Sequence, residues 1–178
     1  GVDDRNYGSS KQSGIWGPAE AGDEYLTDRL TRHACEVIRE QKDKPFFLML
    51  AYNAPHSPLH GKREHQEKLQ HIKSEALQLY ASMVLAIDDG VGQVLGALDE
   101  SKITENTMVL FMSDNGPATT RFKGMPEAWP RGELLGSTGG LRGHKGTYYE
   151  GGIRVPCEPE RVVPSRICNG NYHFHLRF

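Results

Sequence analysis

Residues 107–156 decide the reading. The stretch opens TMVLFMSDNGP at 107–117, runs through a long Gly-rich loop, and closes LRGHKGTYYEGGIRVP at 141–156. Met108 through Met112 are continuously apolar, the pattern of a strand buried on both faces of a parallel sheet. At its carboxyl end stand Ser113, Asp114, Asn115 and Gly116. In open α/β sheets ligands bind at that end of a strand. A carboxylate beside a carboxamide offers hard oxygen donors suited to Ca²⁺ or Mg²⁺. Further on, Lys145 sits among Gly143, Gly146, Gly151 and Gly152, so an ammonium can approach a ligand with little bulk nearby. A cation and a fixed ammonium together make a site for an anionic ester. Asp-Asn-Gly after a strand is also ordinary turn chemistry, so this stretch alone leaves both readings open.

Upstream, the chain repeats the theme. PFFLMLAY at 45–52 reads as a second buried strand, followed by NAPHSPLH at 53–60. The two prolines there hold the loop extended and exclude helix or ladder, so His56 is presented at a position equivalent to that of Asp114. Helical spacing over 23–41 places Leu26, Leu30, Ala34, Val37 and Ile38 on one face, leaving His33 on the wet side. A longer helix spans 74–100, with Leu77, Tyr80, Val84, Ile87, Val91, Val94 and Leu98 as its stripe and a slight bend at Asp88-Asp89-Gly90. Helix, strand, helix, strand with crossover-length connections gives an α/β fold: a mostly parallel sheet flanked by helices, with His56 and Asp114 at one sheet edge.

The totals allow one domain with a real core: 178 residues, with 21 Lys and Arg against 23 Asp and Glu. That near balance is no footprint for nucleic acid or an anionic membrane, and no apolar run approaches the ~20 residues of a membrane helix. Cys35, Cys157 and Cys168 form no CxxC pair; Cys35 reads as a buried thiol, and pairing of Cys157 with Cys168 is left open by spacing. His60, just before the polar run GKREHQEKLQH, and His65 within it lack zinc-ligand spacing and read as solvated. GHKGT fails the order of a phosphate-cradling P-loop. The loop at 117–140 is long for a compact domain and reads as a functional rim or a mobile segment. Residues 1–20 read as a surface loop or ragged end, 21–156 as the α/β domain, and 157–178 as an irregular tail without a clear core strand.

Taken in order, NAPHSPLH, AIDDGVGQVL, SDNGP and LRGHKGTYYEGGIRVP resemble the sulfatases of the alkaline phosphatase superfamily, arylsulfatase and N-acetylgalactosamine-6-sulfatase-like members above all. The motifs cover about residues 25–156. The resemblance implies an alkaline phosphatase-like fold and hydrolysis of a sulfate ester, an aryl sulfate or a sulfated carbohydrate. It implies that His56 and Lys145 contact the substrate sulfate, and that Asp114 and Asn115 are two ligands of a catalytic Ca²⁺. A lysosomal, secreted or periplasmic setting goes with it.

Two departures bear on activity. The resemblance implies a paired Asp completing the metal site and a cysteine oxidised to the formylglycine nucleophile, both upstream of these motifs, and 1–20 holds neither convincingly. Cys157-Glu158-Pro159-Glu160-Arg161 matches the loose C-x-P-x-R pattern but follows the lysine motif, and reads as a chance match. The expectation is an incomplete sulfatase catalytic domain, inactive alone. A phosphoric or phosphonic ester hydrolase of the same superfamily, distinguished by its nucleophile, and a non-catalytic binding module are the alternatives.

Overall fold

Helix α1 (Leu26–Gln41) crosses the long helix α3 (Glu75–Glu100), and this crossing is the frame on which the other segments hang. The structure, a computed structural model, describes residues 17–18, 24–121 and 125–160. In chain order these form β1 (Gly17–Pro18), α1, β2 (His60–Gly61), α2 (Arg63–Lys68), α3, a 3-10 turn (Thr104–Asn106), β3 (Val109–Met112), α4 (Glu150–Ile153) and β4 (Cys157–Glu160). The beginning of the expected amino-terminal loop and the tail from 161 onward, with Cys168, lie outside the described residues.

Both long helices form where the apolar spacing places them, but their most buried residues are the smaller ones. On α1 these are Thr27, Thr31, Ala34, Cys35 and Ile38, while Val37 is 36% exposed. On α3 they include Ala76, Leu79, Met83, Ala86, Gly90 and Ala97, and most of the larger expected stripe is half-buried. Close helix crossing selects for small side chains, because bulk at the crossing holds the axes apart. At Gly90 a Cβ would lie 2.6 Å from both Thr31 Oγ1 and Tyr52 Oη. Those two hydroxyls are themselves 2.7 Å apart. Gly90 is therefore a close-approach position within one continuous helix.

Ser74 caps α3, its Oγ accepting from Leu77 N–H at 3.3 Å and donating to Glu133 Oε2 at 2.6 Å. With 26 residues and a mean hydropathy of 1.3 over its most apolar window, α3 is long and apolar enough to cross a bilayer, beyond what the sequence reading allowed. Here it is the spine of two cores. The first gathers Ala54, Leu59, Ala76, Leu79, Met83, Met125, Trp129 and Leu135. The second gathers Cys35, Ile38, Ala97 and Leu98 with Phe46, Leu48, Ile103 and Val109 around them. Burial there pushes the Cys35 thiol up from its ordinary range.

The strands depart from expectation. Ladders join β1 to β2 in parallel and β3 to β4 antiparallel, Met112 opposite Cys157 and Val109 opposite Glu160. Cys157–Glu160 is thus a strand where the sequence offered no core strand. Ladder bonds are made by backbone groups, so β3 recruits a partner of poor β propensity, with Pro159 tolerated in a two-stranded sheet. Residues 45–52 form no ladder among the described residues. Burial nevertheless alternates along them, the period-two sign of extended chain with one covered face: Phe46 and Leu48 turn to the second core while Phe47 is 92% exposed. Val109 likewise faces that core and Leu110 is 58% exposed. Both apolar runs therefore cover one face only, and the double burial read from the sequence is not met among these residues.

Two further expectations are corrected. His65 is only 2% exposed, not solvated: its Nε2 lies 3.0 Å from Asp89 Oδ2 and its Nδ1 3.1 Å from the Ser82 carbonyl, pinning α2 to α3. The long loop is also more than a rim. Trp129 is buried in the first core with its Nε1–H donating to Glu75 Oε2 at 2.8 Å. Thr120 N–H donates to Glu133 O at 2.8 Å, and Leu135 N–H to Ala118 O at 2.9 Å. An indole brings more apolar area than a surface loop can leave wet, and a hydrophilic average hides it.

Candidate functional site

The turn Ser113–Gly116 leaves β3 at its carboxyl end, as the apolar run predicted. Ser113 Oγ donates to Asn115 O at 2.9 Å, and Asn115 Nδ2 donates to Gly116 O at 3.1 Å. With its amide N–H₂ engaged, Asn115 keeps its carboxamide oxygen for another partner. Asp114 is exposed, and no ion pair holds its carboxylate among the described residues.

Backbone bonds carry the Lys145 loop to this turn across the intervening loop. Gly116 N–H donates to Gly152 O at 2.9 Å, and Lys145 N–H donates to Pro117 O at 2.9 Å. The approach is so close that a Cβ on Gly116 would lie 1.9 Å from Gly151 O. Gly151 N–H in turn donates to Arg142 O at 2.8 Å, closing the Lys145 loop on itself. Gly143 and Gly146 hold φ of 89° and 84°, backbone that favours glycine. Asp114, Asn115 and Lys145 are thus brought into one loop cluster by main-chain geometry, and the Lys145 ammonium is left without an ion pair among the described residues.

His56 is placed separately. Asn53–Pro58 turns instead of running extended, with His56 N–H donating to Asn53 O at 3.0 Å and cis bonds before both Pro55 and Pro58. Buried Ala54 and Leu59 anchor either side of the turn in the first core, and His56 projects to solvent. Its Nδ1 lies 2.8 Å from Ser57 O. A carbonyl only accepts, so Nδ1 carries hydrogen and Nε2 is the free ring nitrogen. No described contact ties His56 to Asp114 or Lys145. Both clusters nevertheless border the first core: the His56 turn through Ala54 and Leu59, the Lys145 cluster through Ala118 and Leu135.

For a metal, the donors fit in kind: a carboxylate and a carboxamide oxygen suit a hard cation such as Ca²⁺. In number they are two, and among the described residues no group of three or more His, Cys, Asp or Glu converges as a metal site. Cys157 is an exposed free thiol at the Met112 end of the β3–β4 ladder. The sequence reading missed the close approach of Gly116 to Gly151 and the clasp between Arg142 and Tyr149, described below. Their only signal was the density of glycine around Lys145.

The family model described as Sulfatase matches residues 2–157, beginning further towards the amino terminus than the motifs alone mark. Mouse steryl-sulfatase is 36% identical over 146 residues, covering 80% of this chain and 22% of that protein. N-acetylgalactosamine-6-sulfatase of Canis lupus familiaris is 33% identical over 153 residues, covering 83% of this chain and 26% of that protein. The crystal structure of Ps i-CgsB in complex with k-i-k-neocarrahexaose superposes with a TM-score of 0.63 at 38% identity, over 78% of this chain and 28% of that one. The chain belongs to the sulfatase family. It spans about a fifth to a quarter of the length of these curated relatives.

Proposed function

We propose that this chain carries the sulfate-binding wall of a sulfatase catalytic domain within residues 21–156, with the nucleophile supplied by residues other than those described. The observation that carries the reading is the pair of backbone bonds, Gly116 to Gly152 and Lys145 to Pro117, which seats a lysine beside the Asp114-Asn115 turn. Lys145 donates to sulfate oxygens through its ammonium. Protonated His56 donates through Nε2–H to a sulfate oxygen or to the leaving-group oxygen. Charge builds on those oxygens as the S–O bond breaks, and fixed donors stabilise it most when water is excluded. Asp114 and Asn115 present their oxygens to Ca²⁺, which when bound supplies positive charge to the ester oxygens. The remaining four to six of its roughly six to eight ligands come from other residues or water. The substrate is a sulfate ester, and the complete fold is a mostly parallel sheet of alkaline phosphatase type.

Titrating inorganic sulfate into the ¹⁵N-labelled chain with Ca²⁺ present tests the site directly. Amide shifts centred on residues 53–57, 113–117 and 143–147 are expected, and Asp114→Ala abolishes their calcium dependence. Shifts centred on other surfaces, or calcium dependence unchanged in Asp114→Ala, refute the assignment.

A further inference from the structure

Within the Lys145 loop one cation is fixed for no purpose described so far. Arg142 Cζ lies 3.7 Å from the centroid of the Tyr149 ring, and its Nη2 donates to Tyr149 Oη at 2.6 Å. Three exposed arginines pair with carboxylates, Arg32 with Glu24 and Glu36, Arg39 with Glu100 and Arg154 with Glu150, whereas Arg142 is held on an aromatic ring. Arg142 has no carboxylate partner among the described residues. Its backbone is held as firmly as its side chain. Arg142 O accepts from Gly151 N–H at 2.8 Å, and the adjoining Gly143 is packed so tightly that a Cβ would lie 2.4 Å from Thr147 Oγ1 and 2.7 Å from Tyr149 Cβ.

A guanidinium carries five N–H donors, and the Tyr149 hydroxyl takes one. No described group takes the others, and Arg142 is exposed, three residues from Lys145 and so within about 11 Å of it along the chain. Much of the side-chain entropy an arginine normally loses on binding is already lost in the stack on Tyr149, which favours ligand capture. The fork geometry matches an oxyanion such as sulfate.

We propose that Arg142 is a specificity-determining residue that binds an anionic group of the substrate other than the sulfate being hydrolysed. The proposal rests on the sulfatase reading above. It assigns the chain to multiply sulfated carbohydrates in preference to esters with a single charge. A sterol or simple aryl sulfate offers Arg142 nothing to bind once its one sulfate is at Lys145. A sugar bearing a second sulfate does.

The test is calorimetric binding, with Ca²⁺ present, of N-acetylgalactosamine 6-sulfate and N-acetylgalactosamine 4,6-disulfate to the chain and to Arg142→Gln and Arg142→Lys. The chain is expected to prefer the disulfate by about tenfold or more, the scale of one charge-assisted hydrogen-bonded contact. Arg142→Gln removes that preference while leaving the affinity for the monosulfate unchanged. Arg142→Lys keeps part of it, because charge remains without the fork. Equal affinity of the parent for both sugars overturns the proposal alone, as does a preference that survives Arg142→Gln. Equal weakening of both sugars by Arg142→Gln, with a lowered melting temperature, identifies the clasp as structural and also overturns it. Absence of binding to either sugar overturns the sulfate-site reading together with it.

Discussion

Replacing Gly116 by alanine puts a methyl group where the Gly151 carbonyl already lies, with the added Cβ 1.9 Å from that oxygen. Nothing flexible stands in the way to move aside, since the neighbouring atoms are backbone of Gly151 and Gly152. The two stems must separate, and the 2.9 Å bond from Gly116 N–H to Gly152 O is strained or broken. Overpacking of this kind costs about 1–3 kcal/mol, and the lost hydrogen bond about 1 kcal/mol net. For a chain of this size each kcal/mol moves the melting temperature by about 2–4 °C, so Gly116→Ala is expected to melt roughly 4–16 °C below the parent. Gly92 and Gly96 on α3 are the internal controls, because a Cβ at either meets nothing within 4 Å. Alanine there stabilises by about 0.5–1 kcal/mol through helix propensity. Thermal melts followed by circular dichroism compare the three. A Gly116→Ala variant melting within a degree or two of the parent contradicts the close approach that joins Asp114 to the Lys145 loop.

Burial holds the Tyr80 and Tyr52 phenols above their ordinary range, with the Thr31 bond partly offsetting this at Tyr52. A raised folded value means the stabilisation is complete below the unfolded value of about 10 and is lost as pH rises through the folded one. Tyr80→Phe should therefore flatten the alkaline fall in melting temperature, and parallel falls in parent and variant count against it. Native-state maleimide labelling mapped by mass spectrometry should modify exposed Cys157 well before Cys35, whose thiol is buried and 3.6 Å from Gln93 O. Equal rates at the two would place Cys35 outside the core. The double change Phe47→Ser and Leu110→Ser should lower binding of a hydrophobic dye without lowering the melting temperature, since both side chains are mostly exposed. A drop of several degrees would mean that these residues are packed.

The two long helices were legible because apolar spacing at three and four residues persists over many turns, as from Leu77 to Leu98. Their buried faces were less so, since Thr31 and Gly90 are selected by how closely two helices cross, a property of the pair. The strand at 109–112 was legible as an apolar run. Its antiparallel partner was not, because Cys157–Glu160 is recruited by backbone bonds that leave no side-chain signature. Among the candidate site residues, Asp114, Asn115 and Lys145 were singled out by motif, and their two loops are joined by backbone bonds where glycines allow close approach. His56 was identified by the same motifs and stands on the same core without a described contact to the others. His65 misled because charged neighbours in sequence conceal a side chain turned inward to Asp89 and Ser82.

Turnover of a chromogenic aryl sulfate tests the central claim most directly, measured for this chain alone and for the chain joined to an upstream sulfatase segment bearing the paired Asp and the formylglycine. Nucleophile, metal and donors act as a unit, so loss of one part removes nearly the whole rate. The chain alone is expected to show no turnover with or without Ca²⁺. The joined protein should turn over, and Lys145→Ala and His56→Ala should each cut that rate by about a hundredfold or more, the scale of removing a single transition-state donor. Turnover by the chain alone that disappears in those two variants, or a joined enzyme indifferent to both, would contradict the assignment of His56 and Lys145 to the sulfate.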